Sequence, residues 1–160
     1  MSISNLQEIS VKENHISSAG NSIKITSFKK ITKVNSFIKE NLEQRFRYCL
    51  DDVSCKKILI VGAGTLGNEL LKNLILSGVT DVTLVDNDSY VIENLPRSTL
   101  IEKTDIGRNK AEALANRAVL KSPFAANITA VNADILQLGW GFLESFDLIF
   151  SPVDNIATRY

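Results

Sequence analysis

Cysteine and histidine are scarce in this chain of 160 residues, which holds two of the first and one of the second. Cys49 and Cys55 stand six positions apart, a spacing that fits neither a paired zinc motif nor a disulfide framework. His15 lies in a polar N-terminal stretch with no evident Ser or Cys companion, so it reads as solvated and a histidine-based triad is not expected. Long apolar runs are missing too, with nothing approaching the roughly 18 residues of a membrane span. The opening residues, with Gln7, Glu8, Lys12 and Glu13, lack the charged head and apolar stretch of a secretory signal. A cytoplasmic location, without a membrane partner, is the resulting expectation. Net charge is zero, 18 Lys and Arg against 18 Asp and Glu, and no dense basic patch suggests a nucleic-acid partner.

What is present is globular in character. Apolar residues make up 44% of the chain and charged ones 22%, and the length corresponds to about one domain. The charge is unevenly divided: residues 1–50 carry eight Lys and Arg against four Asp and Glu, and the remainder carries ten against fourteen. A mildly basic N-terminal segment that is solvated, or that packs on the acidic body or on a partner, accounts for this equally well.

The most informative stretch is the apolar run Ile58-Leu59-Ile60-Val61 leading into Gly62-Ala63-Gly64-Thr65-Leu66-Gly67, with Asp86 nineteen positions after Gly67. This is a G-x-G-x-x-G turn between a strand and a helix, followed by an acid at the distance expected of a ribose ligand. Gly62 permits the tight turn, Gly64 lets bare backbone approach phosphate, and Gly67 lets the helix pack close to the strand. The helix start offers unpaired N–H groups to an anion. No Gly-Lys-Ser/Thr closes the loop, so it is not a P-loop.

Around this stretch strand and helix signals alternate. Strands are expected at Lys57–Val61, Asp81–Val85, Ile128–Ala133 and Phe146–Phe150. Helices are expected at Thr65–Leu76, with Leu66, Leu70, Leu71, Leu74 and Ile75 on its inner face, and from about Gly107 to Leu120, with Leu114, Ala115 and Ala118 inward. Ile38, Leu42, Phe46 and Cys49 give residues 36–50 the period of an amphipathic helix. Residues 1–34 read either as a flexible arm or as short strands around Ile23–Ile25 and Ile31–Val34. The alternation predicts an α/β fold, a doubly wound and mostly parallel sheet, preceded by an N-terminal extension over 1–50. Its ligand cleft is expected at the carboxyl ends of the strands, where Gly62, Asp86 and residues 151–154 gather.

Beyond the glycine turn, four further motifs follow in order: Asp86-Asn87-Asp88, Asn94-Leu95-Pro96-Arg97, Gly107-Arg108-Asn109-Lys110 and Asp154-Asn155-Ile156-Ala157-Thr158-Arg159-Tyr160. Together they resemble the ThiF/MoeB adenylyltransferases, which share the nucleotide-binding fold of ubiquitin-activating enzymes. The resemblance runs from about Lys56 to the end. It implies a Rossmann-like sheet, ATP and Mg2+, and transfer of AMP to the C-terminal carboxylate of a ubiquitin-like or sulfur-carrier protein by a homo- or heterodimer. On this resemblance Asp86 takes the ribose, with Asp88 shaping the same loop. Asn94 and Arg97 contact the nucleotide and its phosphates, Lys110 reaches the phosphates, and Asp154 goes with magnesium and the leaving pyrophosphate.

The chain departs from that pattern in places. Ser98 stands where the Asn-Leu-x-Arg-Gln element has glutamine. Arg45 and Arg47 are candidates for the arginine that many members extend to a neighbouring subunit's ATP. The family's later strands, carrier-binding surface, catalytic cysteine and zinc motifs have no counterpart up to Tyr160, which suggests the N-terminal portion of a longer protein. Two other readings share the glycine turn: a nicotinamide-dependent oxidoreductase, and a non-catalytic scaffold subunit of a heterodimer.

Overall fold

A computed structural model of the chain describes residues 7–18, 21–32, 56–123 and 126–153. The helix expected over 36–50, with Cys49, Arg45 and Arg47, lies outside the described residues, as does Cys55.

Six strands form one sheet: β1 (Gln7–Ser18), β2 (Asn21–Thr32), β3 (Ile58–Val61), β4 (Asp81–Val85), β5 (Ala126–Asn132) and β6 (Leu148–Phe150), in the order β1-β2-β5-β4-β3-β6. Three pairings are parallel, β5 with β4, β4 with β3 and β3 with β6. The other two, β1 with β2 and β2 with β5, are antiparallel. Helices α1 (Thr65–Leu76) and α2 (Lys110–Lys121) follow β3 and precede β5, and a short helix α3 (Trp140–Leu143) precedes β6.

Strand alternation decides which helix covers which face. Ile58, Ile60, Val82, Leu84, Ile128 and Ala130 pack with Leu71 and Ile75 of α1 and Leu114 and Ala118 of α2. Their neighbours Leu59, Val61, Val85 and Val131 face the other way, toward Leu138, Phe142, Leu143 and Phe146. A strand buried on both faces needs apolar residues at consecutive positions, and all four residues of β3 are buried. The sheet is therefore wound on both sides around its parallel centre, as the alternating pattern predicts.

Two expectations are corrected. Leu66 was placed on the inner face of α1, yet it is 65% exposed. It sits in the first turn, which projects past the sheet, and it lines the cleft described below. The second helix starts at Lys110 rather than near Gly107, because Gly107 takes φ 84 and the Asn109 side chain caps the helix by accepting from the Glu112 N–H at 3.1 Å.

Within the stretch where a flexible arm or short strands were both open, the described residues 7–18 and 21–32 form a pair of antiparallel twelve-residue strands, longer than the short strands considered; residues 33 and 34 lie outside the described residues. This hairpin is fastened to the body by buried charge. Lys30 is 2% exposed, and its ammonium donates to the carbonyls of Ser122 at 2.6 Å and Leu120 at 3.4 Å, at the negative end of α2. Lys24 bridges Glu112 of α2 at 3.0 Å and Glu13 of β1 at 3.2 Å. His15 is exposed, with Ser22 across the hairpin 3.4 Å from its Nδ1. Among the described residues no helix is long and apolar enough to cross a membrane.

Candidate functional site

The carboxyl ends of β3, β4, β5 and β6 open into a cleft of about 620 Å³, a volume suited to a ligand of nucleotide size. Its location follows from topology: the chain runs from β3 outward through β4 to β5, then returns to place β6 on the opposite side of β3. The strand order reverses there, and loops diverge to leave a crevice. Val61, Val85, Ala133, Ile135 and Val153 supply an apolar wall.

The polar lining comes from the motifs. Gly62, Gly64, Asp86, Asn94, Arg97 and Lys110 all face this one cleft, together with Asp88 and Asp134. Gly67 stands behind the cleft rather than on its wall, with α1 passing against the carbonyl of Gly62. Asp154 lies outside the described residues; the preceding residue, Val153, forms part of the lining and would touch any side chain placed on Gly62. The turn opens α1 with Gly64 at the N-cap, and no acidic side chain in the first turn offsets the positive end of the helix.

Asp86 organises the turn that it faces. One carboxylate oxygen accepts from the Ala63 N–H at 2.7 Å and the other from the Asp88 N–H at 2.8 Å. Burial pushes the Asp86 carboxyl above its ordinary value, against the pull of those two N–H groups and of the Lys110 charge. A raised carboxyl pKa means that ionisation costs stability as the pH climbs past the ordinary value, so the charged acid stands in the cleft at a cost. Ligand affinity that uses the carboxylate should therefore fall, on acidification, at a pH above 3.8. A calorimetric pH series should show this step in the native chain and lose it in Asp86→Asn; an unchanged step would assign it to another group.

Opposite the glycine turn, residues 86–90 and 107–110 are zipped together. The Asn109 amide donates to the carbonyls of Asp86 at 2.9 Å and Asp88 at 3.1 Å, and the Lys110 N–H donates to the Asp88 carbonyl at 2.8 Å. The Lys110 ammonium pairs with the Asp88 carboxylate at 2.9 Å. Arg97 is exposed on a 3-10 turn, Ile92–Arg97, whose entry is tied by the Val91 N–H donating to Asn94 Oδ1 at 3.0 Å. Ser98, in the place of glutamine, is buried, and its hydroxyl has no partner among the described residues.

Sequence reasoning missed three contributors. Asp134 caps the loop after β5 by accepting from the Leu136 N–H at 3.0 Å while lining the cleft. Tyr90 reaches under the glycine turn from the Asp86 loop, and Asp105 anchors the turn before Lys110 from beneath. Asp134 and Asp105 make local capping bonds, to the Leu136 and Glu102 N–H groups, whereas the Tyr90 contact with Ala63 arises only where the Asp86 loop passes under the glycine turn.

The ThiF family model matches residues 26–160. The SUMO-activating enzyme subunit 2 of Dictyostelium discoideum is 41% identical over 111 residues, covering 68% of this chain and 17% of that protein. The NEDD8-activating enzyme E1 catalytic subunit of Caenorhabditis elegans is 40% identical over 103 residues, 64% of this chain and 24% of that protein. The crystal structure of E. coli MccB with ATP superposes with a TM-score of 0.50 at 28% identity, covering 53% of this chain and 25% of that one. The chain thus spans about a quarter or less of the length of these relatives, two of which are activating enzymes for ubiquitin-like proteins. The ordered motifs, the cleft that gathers residues of the first four, and the match over most of the sequence lead to one assignment: this chain belongs to the ThiF family.

Proposed function

We propose that the chain forms the ATP-binding part of an enzyme that adenylylates the C-terminal carboxylate of a ubiquitin-like or sulfur-carrier protein. One observation carries this reading: the two basic side chains Arg97 and Lys110, the acid Asp86 and the bare glycine turn, widely spaced in sequence, border a single cleft. Relatives named as SUMO- and NEDD8-activating enzymes and a structural neighbour solved with ATP support the same chemistry.

The cleft suits ATP. Its apolar wall accepts a base, Asp86 retains acceptor capacity for ribose hydroxyls, and Gly64 and the start of α1 present N–H groups to phosphate. Attack of a carboxylate oxygen on the α-phosphorus forms a mixed anhydride. The bond to the bridging oxygen breaks, and pyrophosphate leaves with the electron pair. Two anions meet and charge grows on the leaving group, so fixed cations carry the catalytic work. Arg97 and Lys110 supply two of them, and Lys110 exchanges its Asp88 partner for phosphate oxygens. Carboxylates at the cleft are the hard oxygen donors that magnesium accepts, and in this proposal Asp154 holds the ion. When bound, magnesium neutralises phosphate charge and orients the leaving pyrophosphate.

Titration calorimetry should show ATP with Mg2+ binding to the chain in preference to NAD. In the full-length protein supplied with its carrier, Asp154→Ala and Lys110→Ala should each reduce ATP–pyrophosphate exchange by about 10²–10³-fold. Preferential NAD binding without a magnesium requirement would favour the oxidoreductase instead. Failure to bind any nucleotide, with stable association to a larger partner, would favour a scaffold subunit.

A further inference from the structure

The residue between the two leading glycines, Ala63, is held at both of its peptide groups. Its N–H donates to Asp86 at 2.7 Å, and its carbonyl accepts from the phenol of Tyr90 at 2.7 Å. Tyr90 is 1% exposed. Its own backbone is locked to the segment that bears Lys110: the Tyr90 N–H donates to the Arg108 carbonyl at 3.0 Å, and the Gly107 N–H donates to the Tyr90 carbonyl at 2.8 Å. Burial pushes the phenol pKa up, so the hydroxyl remains a donor throughout the physiological range.

A trans peptide is planar, so its C=O and N–H point in opposite directions. Drawing the Ala63 carbonyl inward to a buried phenol therefore turns the N–H of the same peptide, which belongs to Gly64, outward. Gly64 lines the cleft, and its N–H has no acceptor among the described residues. Without the Tyr90 hydroxyl, a buried carbonyl loses its partner, and the peptide is free to rotate toward whatever satisfies it.

We propose that Tyr90 is a positioning residue for phosphate recognition: acting through the Ala63 carbonyl, its hydroxyl holds the Gly64 N–H toward the phosphates of a nucleotide in the cleft. This inference rests on the nucleotide reading given above. It gives Tyr90 a role that none of the five sequence motifs assigns, and it makes the Lys110 segment and the glycine turn one preorganised phosphate frame.

The test is calorimetric titration of the chain with adenosine, AMP and ATP with Mg2+. Tyr90→Phe keeps the ring and removes the hydroxyl. It should weaken AMP and ATP by about 10-fold, the scale of one hydrogen bond to a charged group, and leave adenosine within about twofold. Gly64→Pro deletes the N–H at a backbone φ of −74°, which proline accepts, and should cause the same phosphate-dependent loss. In the double variant the Tyr90 change should add less than about twofold, because both act through one donor.

A Tyr90→Phe chain that loses adenosine as much as ATP, or losses that multiply in the double variant, would overturn the proposal in favour of a packing role. A Gly64→Pro chain that binds AMP like the parent would overturn it whether or not Tyr90→Phe folds. If the parent chain binds none of the three ligands, the nucleotide reading itself is wrong. If it binds them and Tyr90→Phe is indistinguishable from it, only the role of Tyr90 fails.

Discussion

Gly67→Ala is expected to lower the melting temperature by about 10 °C, corresponding to roughly 3 kcal/mol in a domain of this size. A Cβ at this position would fall far inside contact distance of the Gly62 carbonyl oxygen and 3.0 Å from its carbonyl carbon. Both are backbone atoms, so no side chain can swing away to relieve the overlap. Gly62 cannot retreat either. Its N–H continues the sheet by donating to the Val85 carbonyl at 2.8 Å, its φ is 104°, and a Cβ there would lie 2.8 Å from Val153. Gly64 is the matched control. Nothing lies within 4 Å of a Cβ built on it, so Gly64→Ala should melt near the parent temperature. Circular dichroism on heating separates the two, and a Gly67→Ala chain that melts with the parent would show that α1 can move off the turn freely.

The second large effect is expected at Asp105→Ala, which should cost about 3 kcal/mol at neutral pH. The Asp105 side chain is fully buried. It accepts from the Glu102 N–H at 3.0 Å, from Arg108 at 3.1 Å and from Arg117 Nε at 2.7 Å. Arg117 also reaches Glu102 at 2.9 Å and Thr104 at 2.7 Å, which ties α2 to the turn that leads into Lys110. Removing the acid leaves a largely buried guanidinium without its principal partner. Burial opposes ionisation of Asp105, but the Arg117 hydrogen bond, the Glu102 N–H and the two arginine charges outweigh it and hold the carboxyl below its ordinary value. A depressed carboxyl pKa contributes stability that is present above the unfolded value, about 3.8, and is lost as the pH falls through the lower folded value. The gap between parent and Asp105→Ala in urea denaturation should accordingly be widest at neutral pH and narrow below 3.8. A gap that stays constant with pH would mean that packing, not charge, carries the effect.

The parts of the fold visible in the sequence are those whose cause is local. Thr65–Leu76 and Asp81–Val85 have the bounds expected for them, because glycines flank the helix at its start and end and the strand alternates half-buried Asp81 and Thr83 with buried Val82 and Leu84. The hairpin was not visible as such. Ser, Asn, Lys and Ile alternate too loosely in residues 7–32 to mark a face, and the strands owe their length to pairing with each other and with β5. Leu66 was misplaced because helical period alone cannot tell which end of a helix overhangs its sheet. At the cleft, Gly62, Gly64, Asp86, Asn94, Arg97 and Lys110 are legible from spacing and resemblance. Tyr90 and Asp105 were not, since a tyrosine and an aspartate in a loop carry no mark of the buried atoms they hold.

The antiparallel return of β2 has a consequence for the cleft. β2 pairs with β5 from Lys24 opposite Asn132, so residues 21–23 run on beyond the last residue of β5, and Ile23 packs with Val131, Ala133 and Ile135. The flank of the cavity that carries Ala133, Asp134 and Ile135 is thus shored up from outside by the tip of the hairpin. Ile23 precedes residue 26, where the match to the family model begins. A change of side chain at Ile23 would therefore reach that wall of the cavity without altering any residue of the motifs.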